Sequence, residues 1–265
     1  MNTIVLITGG VDSTYTLWKI LTTTDENVTA VFFNSEFYNG DLSRTSPHYD
    51  VTIKMKNFIP PIIKWLNDNV RSFTFKKVNM NLSSYGNINC FSEYATRYAV
   101  EYINNGTYDK FVLSYEKEND GAAVRSGPNA AMYNSESLFA LEWFKLNATR
   151  GEISFPLLDV EYNHSYAISE LPKELFDMTY SCTVIDWDRD LKKYVECGEC
   201  FKCEKKKFFC EQLDLNKSPK QIQDYVNSKS LLPNGNWLSM KYWIKSEENE
   251  GIKMPIWPTS YKVNG

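Results

Sequence analysis

No stretch of this 265-residue chain approaches the ~18 consecutive apolar residues of a membrane span. The first apolar run, Thr3-Ile4-Val5-Leu6-Ile7, has only the length of a strand. Neither a signal peptide nor a membrane segment is therefore expected, and the expected compartment is the cytoplasm. An excess of basic residues is missing too: 29 Lys and Arg face 33 Asp and Glu, for a net charge of −4. That balance excludes the broad positive field of a protein held mainly by nucleic-acid phosphates, so nucleic acid is not an expected partner. Neither the GxxxxGK(S/T) loop nor the GxGxxG turn occurs, which removes two familiar phosphate-binding signatures. Histidine is scarce, with only His48 and His164. No internal repeat or low-complexity block interrupts a length that suits one large α/β domain with attachments.

What is present starts at the N-terminus. Thr8-Gly9-Gly10-Val11-Asp12-Ser13 follows the first apolar run and precedes an amphipathic stretch through Leu21, an order that reads as strand, glycine turn and helix. Adjacent glycines permit positive φ and let a ligand approach without a Cβ in the way. The turn aims unsatisfied N–H groups and the positive end of the helix dipole at one point, which suits phosphate. Asp12 and Ser13 stand where a helix cap belongs, and the Ser13 hydroxyl is placed to meet a phosphate oxygen. The hexapeptide resembles the SGGxDS loop of the PP-loop ATP pyrophosphatases, with Thr8 keeping the hydroxyl of the usual first Ser. The resemblance implies that Thr8, Gly9, Gly10, Val11, Asp12 and Ser13 hold ATP while a substrate group attacks the α-phosphate, with Asp12 and Ser13 serving the chemistry.

The cysteines are uneven. Cys90 stands alone, whereas Cys182, Cys197, Cys200, Cys203 and Cys210 crowd together. Cys197-Gly198-Glu199-Cys200-Phe201-Lys202-Cys203 is a CxxCxxC run, and with Cys182 it offers four thiolates. Zinc takes four sulfurs tetrahedrally, and backbone N–H groups support thiolates at this spacing. An iron–sulfur cluster is the competing reading, while a disulfide framework fits poorly without an export signal. Cys210, beside Phe208 and Phe209, reads as a buried thiol rather than a ligand.

Together, the N-terminal loop and the Ser181-Cys182 … Cys197-Gly198-x-Cys200-x-x-Cys203 pattern resemble the 7-cyano-7-deazaguanine synthases. The resemblance implies an adenine nucleotide alpha hydrolase-like, Rossmann-like α/β fold, a parallel five-stranded sheet flanked by helices, with a small C-terminal zinc knuckle. It also implies ATP, Mg²⁺ and Zn²⁺, with 7-carboxy-7-deazaguanine and ammonia as substrates, and a homodimer. The implied reaction is adenylation of the carboxylate, attack by ammonia to give an amide, and then dehydration to the nitrile. A defence-type relative would instead join the activated carboxylate to a protein or other amine, and a tRNA-modifying PP-loop enzyme is a further alternative. Two departures bear on this choice: the Pro-x-Arg-Asn segment of the family is missing, and after Pro156-Leu157 the expected Lys is absent from Asp159-Val160-Glu161-Tyr162.

Along the chain, strands are predicted at residues 28–33, 73–78, 110–114 and 153–156, alternating with helices at 49–67, 91–104 and 135–146. Pro60-Pro61 is expected to break or kink the first of these helices. Alternation of this kind means a parallel sheet, with ligands beyond the carboxyl ends of its strands at the switch point. Ser114 falls at such an end and is assigned to the nucleotide. Beyond it, Lys117 is a candidate for catalysis, while Glu118, Asp120, Arg125 and His48 are candidates for binding the substrate. His164 reads as a polar cap of a further helix. The charged insert Asp186–Asp190 reads as a solvated loop. The expected organisation is an ATP-binding domain over 1–180, a knuckle and following helix over 181–212, and an extension over 213–265. A short helix is expected from Lys217 through Val226. The aromatic residues Trp237, Tyr242, Trp243, Trp257 and Tyr261 are expected to pack the extension on the core or on a twin subunit.

Overall fold

A computed structural model describes residues 1–35, 57–80, 91–114, 140–159, 163–182, 185–198, 201–222 and 260–263. The N-terminal apolar run forms β1 (Asn2–Leu6) and leads through the glycine turn into α1 (Val11–Thr23). Then come β2 (Asn27–Ser35), α2 (Ile59–Asn69), β3 (Thr74–Met80), α3 (Phe91–Asn104) and β4 (Lys110–Val112). A helix over 140–147, here α4, precedes β5 (Gly151–Ser154) and the 3₁₀ turn Pro156–Asp159. The chain continues with α5 (Asn163–Glu170), α6 (Lys173–Met178), the hairpin β6 (Ile185–Asp188) and β7 (Lys193–Glu196), α7 (Phe201–Asp214), and finally β8 (Ser260–Val263).

Six strands form one sheet in the order β3-β2-β1-β4-β5-β8. The first five run parallel, and β8 lies antiparallel against β5, with Ile153 opposite Tyr261. The fold is thus α/β with a mostly parallel sheet, the expected five parallel strands being joined by a sixth, antiparallel one. The extra strand, Ser-Tyr-Lys-Val, is short and mostly polar, so hydrophobic alternation does not announce it.

A parallel sheet covered on both faces alternates its side chains between two cores. Val5 and Ile7 of the β1 run, with Ala30 and Phe32 of β2, enter one core with α1, α2, α5, α6 and α7. Ile4, Leu6, Val31 and Phe33 enter the other, with Ala99, Ile103 and Phe144 from α3 and α4. The strand order reverses direction around β1: the chain moves from β1 to β2 on one side and later to β4 on the other. This is a topological switch point.

The expected break at Pro60-Pro61 is present: Asn57 is helical, Phe58 is a turn, and α2 starts afresh at Ile59. Both prolines sit in its first turn, where a missing N–H costs nothing and a fixed φ helps. The residues of the expected helix before 57 lie outside the described set. One expectation is corrected. The charged segment 186–190 is not a plain loop, because Ile185–Asp188 pairs antiparallel with Lys193–Glu196. Asp188 Oδ1 accepts the N–H groups of Asp190 and Leu191 at 2.9 Å, which builds the turn. The expected helix from Lys217 is helical over 219–222, and its continuation lies outside the described residues. Among the described residues, no helix is long and apolar enough to cross a membrane.

Candidate functional site

The glycine turn sits at the carboxyl end of β1. Ile7 extends the ladder by donating to Val31 O at 3.0 Å, and the chain then turns within Thr8–Gly10. Gly9 has φ +80°, a conformation that L side chains rarely adopt, and a Cβ there would lie 3.2 Å from Ile59 Cγ1. Gly10 is the N-cap of α1 and makes no side-chain cap hydrogen bond. Asp12 and Ser13, placed by sequence at the cap, therefore fall inside the first helical turn.

Ser13 is 5% exposed and its hydroxyl organises the loop from within. Its Oγ accepts the Thr8 N–H at 3.1 Å, lies 3.0 Å from Thr8 Oγ1, and donates to Gly10 O at 3.2 Å. The adjacent hydroxyls of Thr8 and Ser13 thus hold the turn in shape and leave the helix start with no side-chain cap. A helix start without a capping side chain, with its partial positive charge, favours an anion.

Ser114 lies two residues beyond the Val5–Val112 pairing, beside the same turn. Its Oγ is buried and has no hydrogen-bond partner among the described residues. A buried hydroxyl in that state favours a ligand that supplies an acceptor or donor. Beyond it, Lys117, Glu118, Asp120 and Arg125 lie outside the described residues, as does His48. The side chain of His164, second residue of α5, is likewise outside the description.

The cysteines form a second centre. Sγ atoms of Cys182, Cys197 and Cys203 lie within 4.8 Å of one another. Cys182 and Cys197 sulfurs are 3.3 Å apart, against the ~2.05 Å of a disulfide. Sulfurs on a tetrahedral zinc stand about 3.8 Å apart for Zn–S bonds of ~2.3 Å, so the three thiols are spaced for one ion. The Cys197 N–H points at Cys182 Sγ, 3.3 Å away, as a thiolate would require. Gly198, at φ +76°, turns the chain between the ligand candidates. Cys200 lies outside the described residues. Cys210 is not in the cluster, and burial, its main influence, raises its thiol pKa, as for a packed rather than a ligating cysteine.

A short strap joins the two centres. Tyr180 N–H donates to Gly9 O at 2.8 Å, fastening the glycine turn from behind. Tyr180 is 2% exposed, and its ring packs at a tilt on Phe58 with centroids 4.6 Å apart, in one cluster with Cys182 and Cys203. Glu196 Oε1 accepts the N–H groups of Ser181 at 2.5 Å and Cys182 at 3.2 Å. Its Oε2 meets Lys206 Nζ at 3.0 Å, and Lys206 also donates to Thr179 O at 3.0 Å. Sequence reasoning reached the loop and the cysteines but missed Tyr180, Glu196 and Lys206. The only signal for them was position: Tyr180 just before the Ser181-Cys182 pair, Glu196 just before Cys197, and Lys206 one helical turn after Cys203.

No protein-family model matches the chain, and no curated protein matches it. Among solved structures, the chain is similar to the U34-tRNA thiolase NcsA from Methanococcus maripaludis with its 4Fe-4S cluster. The similarity covers 94% of this chain and 72% of that one at 12% sequence identity, with a TM-score of 0.42. A likeness of that size assigns neither a family nor a reaction.

Proposed function

We propose that the chain is an ATP-using enzyme of the PP-loop kind, in which the Thr8–Ser13 turn holds the triphosphate while a carboxylate attacks the α-phosphate and releases pyrophosphate. The observation that carries this reading is the placement of the turn. A helix start with no side-chain cap, shaped by a positive-φ glycine, stands at the switch point of a parallel sheet next to the buried Ser114 hydroxyl. The N–H groups of the first turn bind phosphate, and Thr8 and Ser13 keep them aimed.

The finer reading makes the carboxylate that of a 7-deazaguanine, 7-carboxy-7-deazaguanine, with ammonia as the amine. It is supported by the joint resemblance of TGGVDS and the cysteine pattern. The chemistry is coherent because a carboxylate anion is a poor electrophile with no leaving group. Adenylation supplies AMP as that leaving group, ammonia then attacks the carbonyl, and a second activation of the amide oxygen permits loss of water to the nitrile. Lys117, Glu118, Asp120, Arg125 and His48 are proposed to meet the substrate, and Mg²⁺ to balance the pyrophosphate charge. Cys182, Cys197 and Cys203, with Cys200, would hold zinc, which when bound would brace the knuckle.

A second reading, transfer of the activated acyl group to a protein or other amine, is favoured by the missing Pro-x-Arg-Asn and Lys motifs. The test is incubation with ATP, Mg²⁺ and 7-carboxy-7-deazaguanine, with and without ammonium, followed by mass analysis. AMP with amide or nitrile supports the leading reading. AMP with a conjugate only when another amine is supplied supports the second, and absence of AMP under all conditions rejects both. Metal analysis runs in parallel: about one zinc per chain is expected, and iron with a visible absorption band would replace zinc by a cluster. Strong, salt-dependent RNA affinity would move the substrate toward tRNA.

A further inference from the structure

Residues 179–182 connect the two centres, and their geometry is set by a residue belonging to neither. We propose that Glu196 is a positioning residue for the nucleotide turn, acting through Tyr180. This rests on the reading of Thr8–Ser13 as the phosphate site. The Glu196 carboxylate uses both oxygens: one gathers the N–H groups of Ser181 and Cys182, the other is held by Lys206. Lys206 returns to the same strap at Thr179 O, so the carboxylate and ammonium grip residues 179–182 from both sides. These groups are only 23% and 13% exposed, where a charge-assisted pair is fixed rather than fluctuating. Tyr180, at the centre of the gripped segment, donates its N–H to Gly9 O. Gly9 is the residue whose positive φ makes the turn, so its carbonyl direction and the N–H groups that follow move together. The strap also lies directly against the turn at Gly10, where a Cβ would be in ordinary van der Waals contact with Tyr180 O at 3.4 Å.

A shift of the strap therefore reaches the helix start without any contact between Glu196 and nucleotide. The same carboxylate orders the backbone of Cys182, which ties the sulfur cluster to the turn. Loss of Glu196 leaves two strap N–H groups without their acceptor and Lys206 without its counter-charge.

The test compares the wild-type chain with Glu196→Ala and Glu196→Gln by three readouts: amide exchange at Tyr180, ATP dissociation constant, and Tm. Glu196→Ala should expose the Tyr180 amide to exchange and weaken ATP about tenfold. Glu196→Gln keeps a carbonyl oxygen for the strap but loses the charge that Lys206 holds. Its Tyr180 exchange should be measurably faster than wild type, though slower than in Glu196→Ala, and ATP should bind about two- to threefold more weakly. If Glu196→Ala does not fold, the Gln variant decides. Faster Tyr180 exchange together with a small loss of ATP affinity supports the proposal, and wild-type exchange with wild-type affinity overturns it. A merely structural role lowers Tm in Glu196→Ala while Tyr180 exchange and ATP affinity of the folded molecules stay at wild type, which also overturns it. The exchange readout needs no ATP. A wild type with a protected Tyr180 amide and no ATP affinity would reject the nucleotide reading, while the effect of Glu196 on Tyr180 would still be measured.

Discussion

At the amino ends of β1, β2, β4 and β5, polar groups close on one another, whereas at the carboxyl ends of β1 and β4 the described residues leave a helix N-cap without a side chain and a buried hydroxyl without a partner. On the amino side, Asn2 N–H donates to Asp109 Oδ2 and Arg150 Nη2 to Asp109 Oδ1, at 2.9 and 2.7 Å. Glu26 takes the Thr3 hydroxyl at 2.6 Å and faces Lys110, which also faces Glu152. Arg71 donates to the carbonyls of Leu21, Thr24 and Glu26 and so closes the end of α1. On the carboxyl side, the start of α1 has no side-chain cap and the Ser114 hydroxyl has no partner among the described residues. Among the described residues, β1 and β4 thus end in a self-satisfied network on one side and in a partnerless buried hydroxyl on the other. The first arrangement stabilises the fold, and the second is what a ligand site needs.

The contrast is broken most sharply by Gly10→Asp. At φ −76° and ψ 166°, Gly10 already has N-cap geometry, and a Cβ there meets nothing closer than 3.4 Å. An Asp carboxylate would cap α1 from within and occupy the proposed phosphate position. ATP affinity should fall at least ~100-fold through direct competition and like-charge repulsion. Thermal stability should hold or rise slightly, because Asp caps at least as well as Gly. Calorimetry and a thermal melt on one sample check both signs.

Arg71→Met tests the opposite end. It removes a donor from three carbonyls, and a loss of about 2–3 kcal/mol in unfolding free energy is expected. ATP affinity of the folded protein should not change. A parallel loss of binding would mean that the two ends are not independent. Ser114→Ala is a smaller probe on the carboxyl side. Removing a buried hydroxyl without a partner among the described residues should leave stability unchanged or improved, while ATP binding should weaken about three- to tenfold. Urea denaturation and nucleotide titration separate the two effects.

Much of this layout was legible in the sequence, for physical reasons. Apolar runs such as Ile4–Ile7 and Ala30–Phe33 must be strands buried on both faces, and Gly9-Gly10 could only be a turn. The cysteine spacing likewise pointed to a ligand cluster, because short-range ligation leaves its mark in local sequence. What could not be read depends on contacts between distant segments. β8 is an edge strand of polar residues whose only strong signal is pairing with β5. The β6–β7 hairpin is held by backbone pairing and an Asp188 turn, neither of which needs apolar alternation. Tyr180 acts through its main-chain N–H, which every residue but proline possesses, so no side-chain pattern could reveal it.

The smallest expected effect comes from the core between the ends. Tyr15, 3% exposed on the inner face of α1, has its phenol pushed up to about 12 from 10.0, first by burial and then by Tyr166 and Glu170. A pKa raised on folding adds stability that is complete below pH 10 and lost as pH rises toward 12. Tyr15→Phe should therefore stay within about 0.5 kcal/mol of wild type at pH 7. It should also show a shallower decline of Tm between pH 10 and 12 than wild type does. An equal decline in both proteins would assign the alkaline loss to other groups.

The central claim is that the carboxyl end of β1 is a nucleotide phosphate site, and calorimetric titration of ATP with Mg²⁺ into wild type and Gly10→Asp tests it most directly. One ATP per wild-type chain and no measurable binding to an equally stable Gly10→Asp variant is the predicted result. Equal binding by both proteins, or none by the wild type, would contradict it.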